Sequence, residues 1–150
     1  ELLKGKRLLV IDESHSSRKI VAKRAELWQM RVSAAPSGEE ALAMMRTVVG
    51  LGGHFDLIIL DYDLPGQNGL ELAETISRDP ALGHPAIIML SGASTAPSSD
   101  TASASGIRRV LSKPISTQSL KITLAEELTV NKVRPREGIS VPLETAPLKD

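Results

Sequence analysis

Carboxylates, a hydroxyl and an ammonium group recur in this sequence at one kind of place, the point where a short apolar run stops. The run at residues 8–11 stops at Asp12-Glu13, the run at 57–60 at Asp61, the run at 86–90 at Ser91, and the run at 108–111 leads through Ser112 to Lys113. Three carboxylates gathered together repel one another, so one must take up a proton or a cation must join them; hard oxygen ligands make Mg²⁺ the natural cation. A carboxylate beside such an ion can attack a phosphoryl group and form an acyl phosphate, because the ion neutralises charge that otherwise holds nucleophile and substrate apart. Lys113 adds a second positive charge, and Ser91 a hydroxyl donor, for phosphoryl oxygens. These residue types can accept a phosphoryl group, provided the fold brings them together.

The elements that must do so are legible from periodicity. Residues 7–11 read as a buried strand. Ser14 or Ser16 can cap a helix running to about Gln29, with Val21, Ala25 and Trp28 at helical spacing and Arg18, Lys19, Lys23 and Arg24 in water. Residues 31–35 read as a second strand. Past the Pro36-Ser37-Gly38 turn, Ala41, Leu42, Met45, Val48 and Val49 share one helical face, and Gly50, Gly52 and Gly53 end that helix. The third run, from Phe55 to Leu60, precedes a turn marked by Pro65, Gly66 and Gly69 and a helix through Leu72, Ala73 and Ile76. After the fourth run the Ala- and Ser-rich stretch 93–105 predicts only a short, loosely packed helix. A weak fifth strand at 108–111 leads to a final helix, starting near Ser116 or Thr117, on which Leu120, Leu124 and Leu128 stack at four-residue intervals.

Strands that alternate with helices require crossover connections, hence a parallel sheet buried on both faces, and chemistry at the C-terminal edge of its strands. The Asp12, Glu13, Asp61, Ser91 and Lys113 positions all fall on that edge. Residues 1–130 are expected to form one domain, and 131–150, with Pro135, Pro142, Pro147 and no periodicity, a linker or disordered tail. The chain has no cysteine, which excludes disulfides, a thiol nucleophile and Cys-ligated metals. Eighteen basic residues balance eighteen acidic ones, and Trp28, Phe55 and Tyr62 are the only aromatics, so neither a bulk charge nor stacking platforms favour nucleic acid. No apolar run approaches the roughly 18 residues that crossing a bilayer needs, so the segment is expected to be cytoplasmic and to make no membrane contact, including where it forms the cytoplasmic part of a membrane-bound sensor. His15, His54 and His84 have no i, i+4 pairing that would make a histidine metal site or an internal phosphohistidine donor. Met44 and Met45 read as packing residues.

Taken one at a time, Asp12-Glu13 is an ordinary helix-start pair, Asp61 a turn former, Ser91 a cap and Lys113 a solvated charge. Their joint placement at four strand ends outweighs that reading. Together they resemble the receiver domains of two-component signalling, the response-regulator domains. The resemblance spans about residues 6–129 and rests on Asp12-Glu13, on Asp61-Tyr62-Asp63-Leu64-Pro65 followed by Gly69, on Ser91, on Lys113-Pro114, and on Ser37-Gly38-Glu39-Glu40-Ala41-Leu42 at the second-helix entrance. The separations, 30 residues from Asp61 to Ser91 and 22 from Ser91 to Lys113, are similar to the family's own.

The resemblance implies an α/β, flavodoxin-like fold with a five-stranded parallel sheet in the order 2-1-3-4-5 and helices on both faces. It implies that Asp61 accepts a phosphoryl group from a phosphohistidine, that Asp12, Glu13, Asp61 and the main-chain carbonyl of Asp63 hold Mg²⁺, and that Ser91 and Lys113 bind the phosphoryl oxygens. The partners would be a histidine kinase or histidine phosphotransfer domain, with sibling domains in the same chain if it derives from a hybrid sensor histidine kinase. Any enzymatic activity of the domain itself would be limited to its own dephosphorylation. Where the family carries an aromatic switch residue on the fifth strand, this chain has Val110, which cannot swing a ring and implies a muted or differently routed output. Two other readings stay open. One is a receiver-like module that is never phosphorylated and acts by protein docking. The other is a haloacid-dehalogenase-like phosphatase, which Asp61-Tyr62-Asp63 resembles, although only the helical Glu126-Glu127 follow Lys113 where such an enzyme has another strand-end acidic pair.

Overall fold

In the computed structural model, residues 2–92 and 97–133 are described. Five parallel strands, β1 (Arg7–Ile11), β2 (Arg31–Ala35), β3 (Leu57–Asp61), β4 (Ala86–Ser91) and β5 (Ile107–Ser112), form one sheet in the order β2-β1-β3-β4-β5. This is the expected flavodoxin-like architecture. The helices are α1 (His15–Leu27), α2 (Gly38–Gly50), α3 (Gly69–Arg78), α4 (Ser99–Ala104) and α5 (Thr117–Val133).

The strands read as continuous apolar runs because each face of the sheet buries alternate residues. Leu9, Ile11, Ile58, Leu60, Ile87 and Met89 point into a core closed by Met45 of α2, by Leu72 and Ile76 of α3 and by Ala102 of α4. Their neighbours Leu8, Val10, Leu57, Ile59, Ile88 and Leu90 point the other way, onto Val21 and Ala25 of α1 and Leu120, Leu124 and Leu128 of α5.

Helix starts follow local chemistry. Ser14 Oγ accepts from the Ser17 amide at 3.2 Å and Ser37 Oγ from the Glu40 amide at 3.3 Å. Asn68 and Glu71 cap α3 reciprocally, at 3.0 and 3.2 Å, satisfying two amides that a helix start leaves unpaired.

Several expectations are refined. Helix α1 ends at Leu27, two residues before the expected Gln29, because Gln29 takes a positive φ of 65°. Arg18 and Arg24 are half-buried instead of wet: Arg18 turns back onto the end of β1, and Arg24 Nη1 donates to the Ile115 carbonyl at 3.3 Å. Helix α4 is short, as composition predicts, while residues 93–96 of that stretch are outside the described residues. Helix α5 continues to Val133, past the expected boundary at 130, and the rest of the expected tail, 134–150, is outside the described residues.

The fifth strand departs most from its reading. Ile107 pairs with Ile87 but Arg109 pairs with Ile88, so Arg108 is the extra residue of a β-bulge. Arg108 Nε lies 3.3 Å from Glu127 Oε1, Arg109 Nε 3.1 Å from Glu127 Oε2, and Arg109 Nη2 2.8 Å from Glu126 Oε1. Glu127 is buried, and these pairs offset the cost of removing its charge from water.

Since Leu124 is fully buried while Leu51 is 83% exposed, Leu124→Ala is expected to cost about 3 kcal/mol in urea unfolding. The Leu51→Ala change is expected to stay within about 0.5 kcal/mol.

Candidate phosphoryl-acceptor site

The site is built from strand ends. Asp12 follows β1, its amide donating to the Ala35 carbonyl at 3.1 Å. Asp61 closes β3 opposite Leu90, and the next amide, of Tyr62, donates to the Leu90 carbonyl at 2.9 Å. Ser91 closes β4, and its carbonyl accepts from the Lys113 amide at 2.9 Å. Backbone ladders thus fix the starting point of each functional side chain.

Lys113 joins two of the acids. Its Nζ lies 3.2 Å from Asp12 Oδ2 and 3.2 Å from Asp61 Oδ1. Asp12 Oδ1 also accepts from the Ser14 amide at 2.9 Å. Asp12 and Asp61 are buried, at 5% and 7% exposure, whereas the Lys113 side chain keeps 32% of its surface. An open-sided pocket of carboxylates around one cation is the result.

Burial raises the Asp61 pKa above the usual carboxylate value, the negative charge of Asp12 adds to the rise, and Lys113 together with the Asp63 backbone bond only partly offsets it. Burial lowers the Lys113 pKa, but the charges and hydrogen bonds of Asp12 and Asp61 outweigh that effect and raise it. The lysine is therefore a fixed cation, and burial makes the charged form of Asp61 costly to hold.

Glu13 is not brought into this group. Its side chain is exposed, and its carbonyl, with that of Asp12, accepts from Arg18 Nη1. A third carboxylate gains nothing by leaving water to face Asp12 and Asp61. Among the described residues no three His, Asp or Glu side chains are grouped to hold a metal. The oxygen donors present nonetheless suit a hard divalent cation: Asp12 and Asp61 are close, buried, and under-compensated by a single ammonium.

Asp63 has an exposed side chain and sits in a two-residue antiparallel pairing, Asp63–Leu64 with Gln67–Asn68, that shapes the loop after the acceptor. Ser91 is fully buried, and its hydroxyl donates to the Gly92 carbonyl at 3.0 Å. Val110 is half-buried against the α2–α3 side of the core.

Two positioning roles go beyond the sequence reading, which marks Gly69 only as a turn and motif residue and Arg18 only as solvated. A Cβ on Gly69 would sit 2.8 Å from the Asp61 carbonyl oxygen and 2.8 Å from Met89 Cε, so only glycine lets the start of α3 approach the acceptor. The Gly69 amide also donates to the Tyr62 carbonyl at 2.7 Å. Arg18 is the second feature, and nothing in helical periodicity distinguishes it from a solvated arginine.

A doubly covered parallel sheet with acids, a hydroxyl and a lysine at its C-terminal edge defines the class of CheY-like flavodoxin folds. Residues 8–125 match the family described as "Response regulator receiver domain", and the chain belongs to that family. It is 26% identical to the chemotaxis protein CheY-3 of Vibrio cholerae over 121 residues, covering 80% of this chain and 89% of that protein. It is 31% identical to the virulence sensor protein BvgS of Bordetella pertussis over 125 residues, covering 80% of this chain but 10% of that sensor. Among solved structures, the chemotaxis response regulator CheY4 of Vibrio cholerae superposes with a TM-score of 0.71 at 27% identity, over 83% of this chain and 99% of that one.

Asp61→Asn is expected to stabilise the fold at neutral pH. Because the folded-state pKa of Asp61 is raised, the native state binds its proton more tightly, and stability falls as pH rises from the unfolded value of 3.8 through the folded one. The asparagine removes that loss, so its advantage in thermal unfolding should be full above the folded pKa and vanish below the unfolded one. Gly69→Ala should cost roughly 1–3 kcal/mol of stability through overpacking against β3.

Proposed function

We propose that this domain takes a phosphoryl group from a phosphohistidine onto Asp61 and passes the signal on by a change of surface. The observation that carries this reading is the Lys113 ammonium 3.2 Å from both Asp61 Oδ1 and Asp12 Oδ2 at the sheet edge. An Asp61 oxygen forms the new O–P bond as the P–N bond to the donor imidazole breaks, and that nitrogen leaves with the bonding electron pair. Lys113 already faces Asp61 and is placed to take a developing phosphoryl oxygen. Ser91 reaches the same oxygens once its hydroxyl lets go of the Gly92 carbonyl.

Asp12, Asp61 and the Asp63 carbonyl would hold Mg²⁺, with Glu13 added from the exposed end of the β1–α1 turn. When bound, the ion neutralises the acidic pocket and the incoming phosphoryl charge. Receiver domains interact with histidine kinases and phosphotransfer proteins, and the likeness to the sensor BvgS supports a hybrid kinase as the setting. The receiver unit would then run through the end of α5 at Val133, beyond the expected boundary at 130, with the remaining residues leading to a sibling domain.

Val110 favours a second reading, a docking module that is never phosphorylated, since a half-buried valine stands where the family usually carries an aromatic. One experiment separates the two. After incubation with Mg²⁺ and a small acyl-phosphate or phosphoramidate donor, intact mass should show a single added phosphoryl group on the parent and none on Asp61→Asn. A parent left unmodified by these donors and by a phosphohistidine-bearing protein would favour the docking module. Lys113→Met should abolish or strongly slow the addition while the chain stays folded.

A further inference from the structure

The Arg18 side chain runs against the usual economy of a helix start. It lies in the opening turns of α1, at the positive end of the helix dipole, and the first turn contains no acid to pair with it. A cation there is unfavourable unless it has a specific acceptor. Arg18 has two: its Nη1 donates at 2.7 Å to the Asp12 carbonyl and at 3.0 Å to the Glu13 carbonyl, while Nη2 lies 3.5 Å from His15 Nδ1.

Those carbonyls belong to the acidic pair itself. With Arg18 in place Asp12 is held from four directions: its amide by Ala35, its carbonyl by Arg18, Oδ1 by the Ser14 amide and Oδ2 by Lys113. The guanidinium also fixes the peptide that carries Glu13, and with it the point from which the Glu13 carboxylate starts.

We propose that Arg18 is a positioning residue for the cation-binding turn, clamping the Asp12 and Glu13 carbonyls so that the Asp12 carboxylate stays against Lys113 and Asp61 while the backbone that carries Glu13 is fixed beside it. This rests on the reading of the site as a Mg²⁺-assisted phosphoryl acceptor. The clamp depends on reach and direction, because the guanidinium plane fixes the two N–H bonds of Nη1 that meet consecutive carbonyls, whereas a lysine ammonium carries the same charge on a shorter side chain with freely rotating donors.

Charge and geometry predict opposite signs. As a charge alone, Arg18 would repel a divalent cation, so its removal would tighten Mg²⁺ binding and Arg18→Lys would leave binding unchanged. As a clamp, both Arg18→Lys and Arg18→Ala should weaken Mg²⁺ binding by about tenfold or more, the usual effect of losing a group that orients ligands. The test is a Mg²⁺ titration of the 150-residue chain followed by backbone amide NMR shifts of Ser14 and Asp63, with thermal unfolding as the check on folding and hydrogen exchange of the Ser14 amide as a metal-free readout.

Weaker Mg²⁺ binding in the folded lysine variant, together with faster Ser14 exchange, is the expected result. Unchanged or tighter binding in that variant would overturn the clamp, and so would lost stability without a change in binding. Arg18→Gln supplies the neutral comparison if the alanine variant does not fold. A parent chain with no Mg²⁺-dependent shifts, and no phosphoryl addition at Asp61, would instead overturn the acceptor reading and the clamp with it.

Discussion

Everything at the functional edge is organised around one electrostatic conflict, two buried carboxylates sharing a single ammonium. Asp12 and Asp61 each lie 3.2 Å from Lys113 Nζ, and burial together with Asp12 still leaves Asp61 with a raised pKa. A parallel sheet makes the conflict possible, since it ends all its strands on one side and points their last residues into one crevice. Asp61 is therefore held where it is costly to keep charged. A divalent cation held between the two carboxylates would relieve that cost.

The rest of the fold keeps those groups from relaxing apart. Alternating residues of the central strands fill two cores, so a shift in register would move every side chain to the wrong face. Gly69 lets α3 close against the Asp61 backbone, and the Asn68–Glu71 cap fixes where that helix begins. The loop after Asp61 is thus tied to the sheet on one side and to a helix start on the other.

Beyond the acceptor, the edge strand has an unusual attachment. Val110 lies half-buried against the core where the family's aromatic is expected to swing, while the bulge at Arg108 lets consecutive arginines reach Glu127 on α5. Movement of β5 relative to α5 has to break or carry along the ion pairs that surround the buried Glu127. Any output through this face would therefore move strand and helix together, a different device from rotation of one ring.

The sequence by itself determined the element order, the strand boundaries to within a residue or two and the identities of Asp12, Asp61, Ser91 and Lys113 at one edge. Those features depend on local periodicity and on where apolar runs stop, which neighbouring residues dictate. Tertiary structure alone decided which of the edge residues meet. Glu13 shares the strand end with Asp12 yet stays in water, because a third carboxylate is repelled by the other two. Arg18 and Arg24 look like ordinary wet residues until a turn and a loop offer carbonyls to them. The bulge in β5 and the need for glycine at position 69 are equally silent in one dimension. Long polar side chains and close backbone approaches answer to atoms distant in sequence, and only the folded chain brings those atoms within reach.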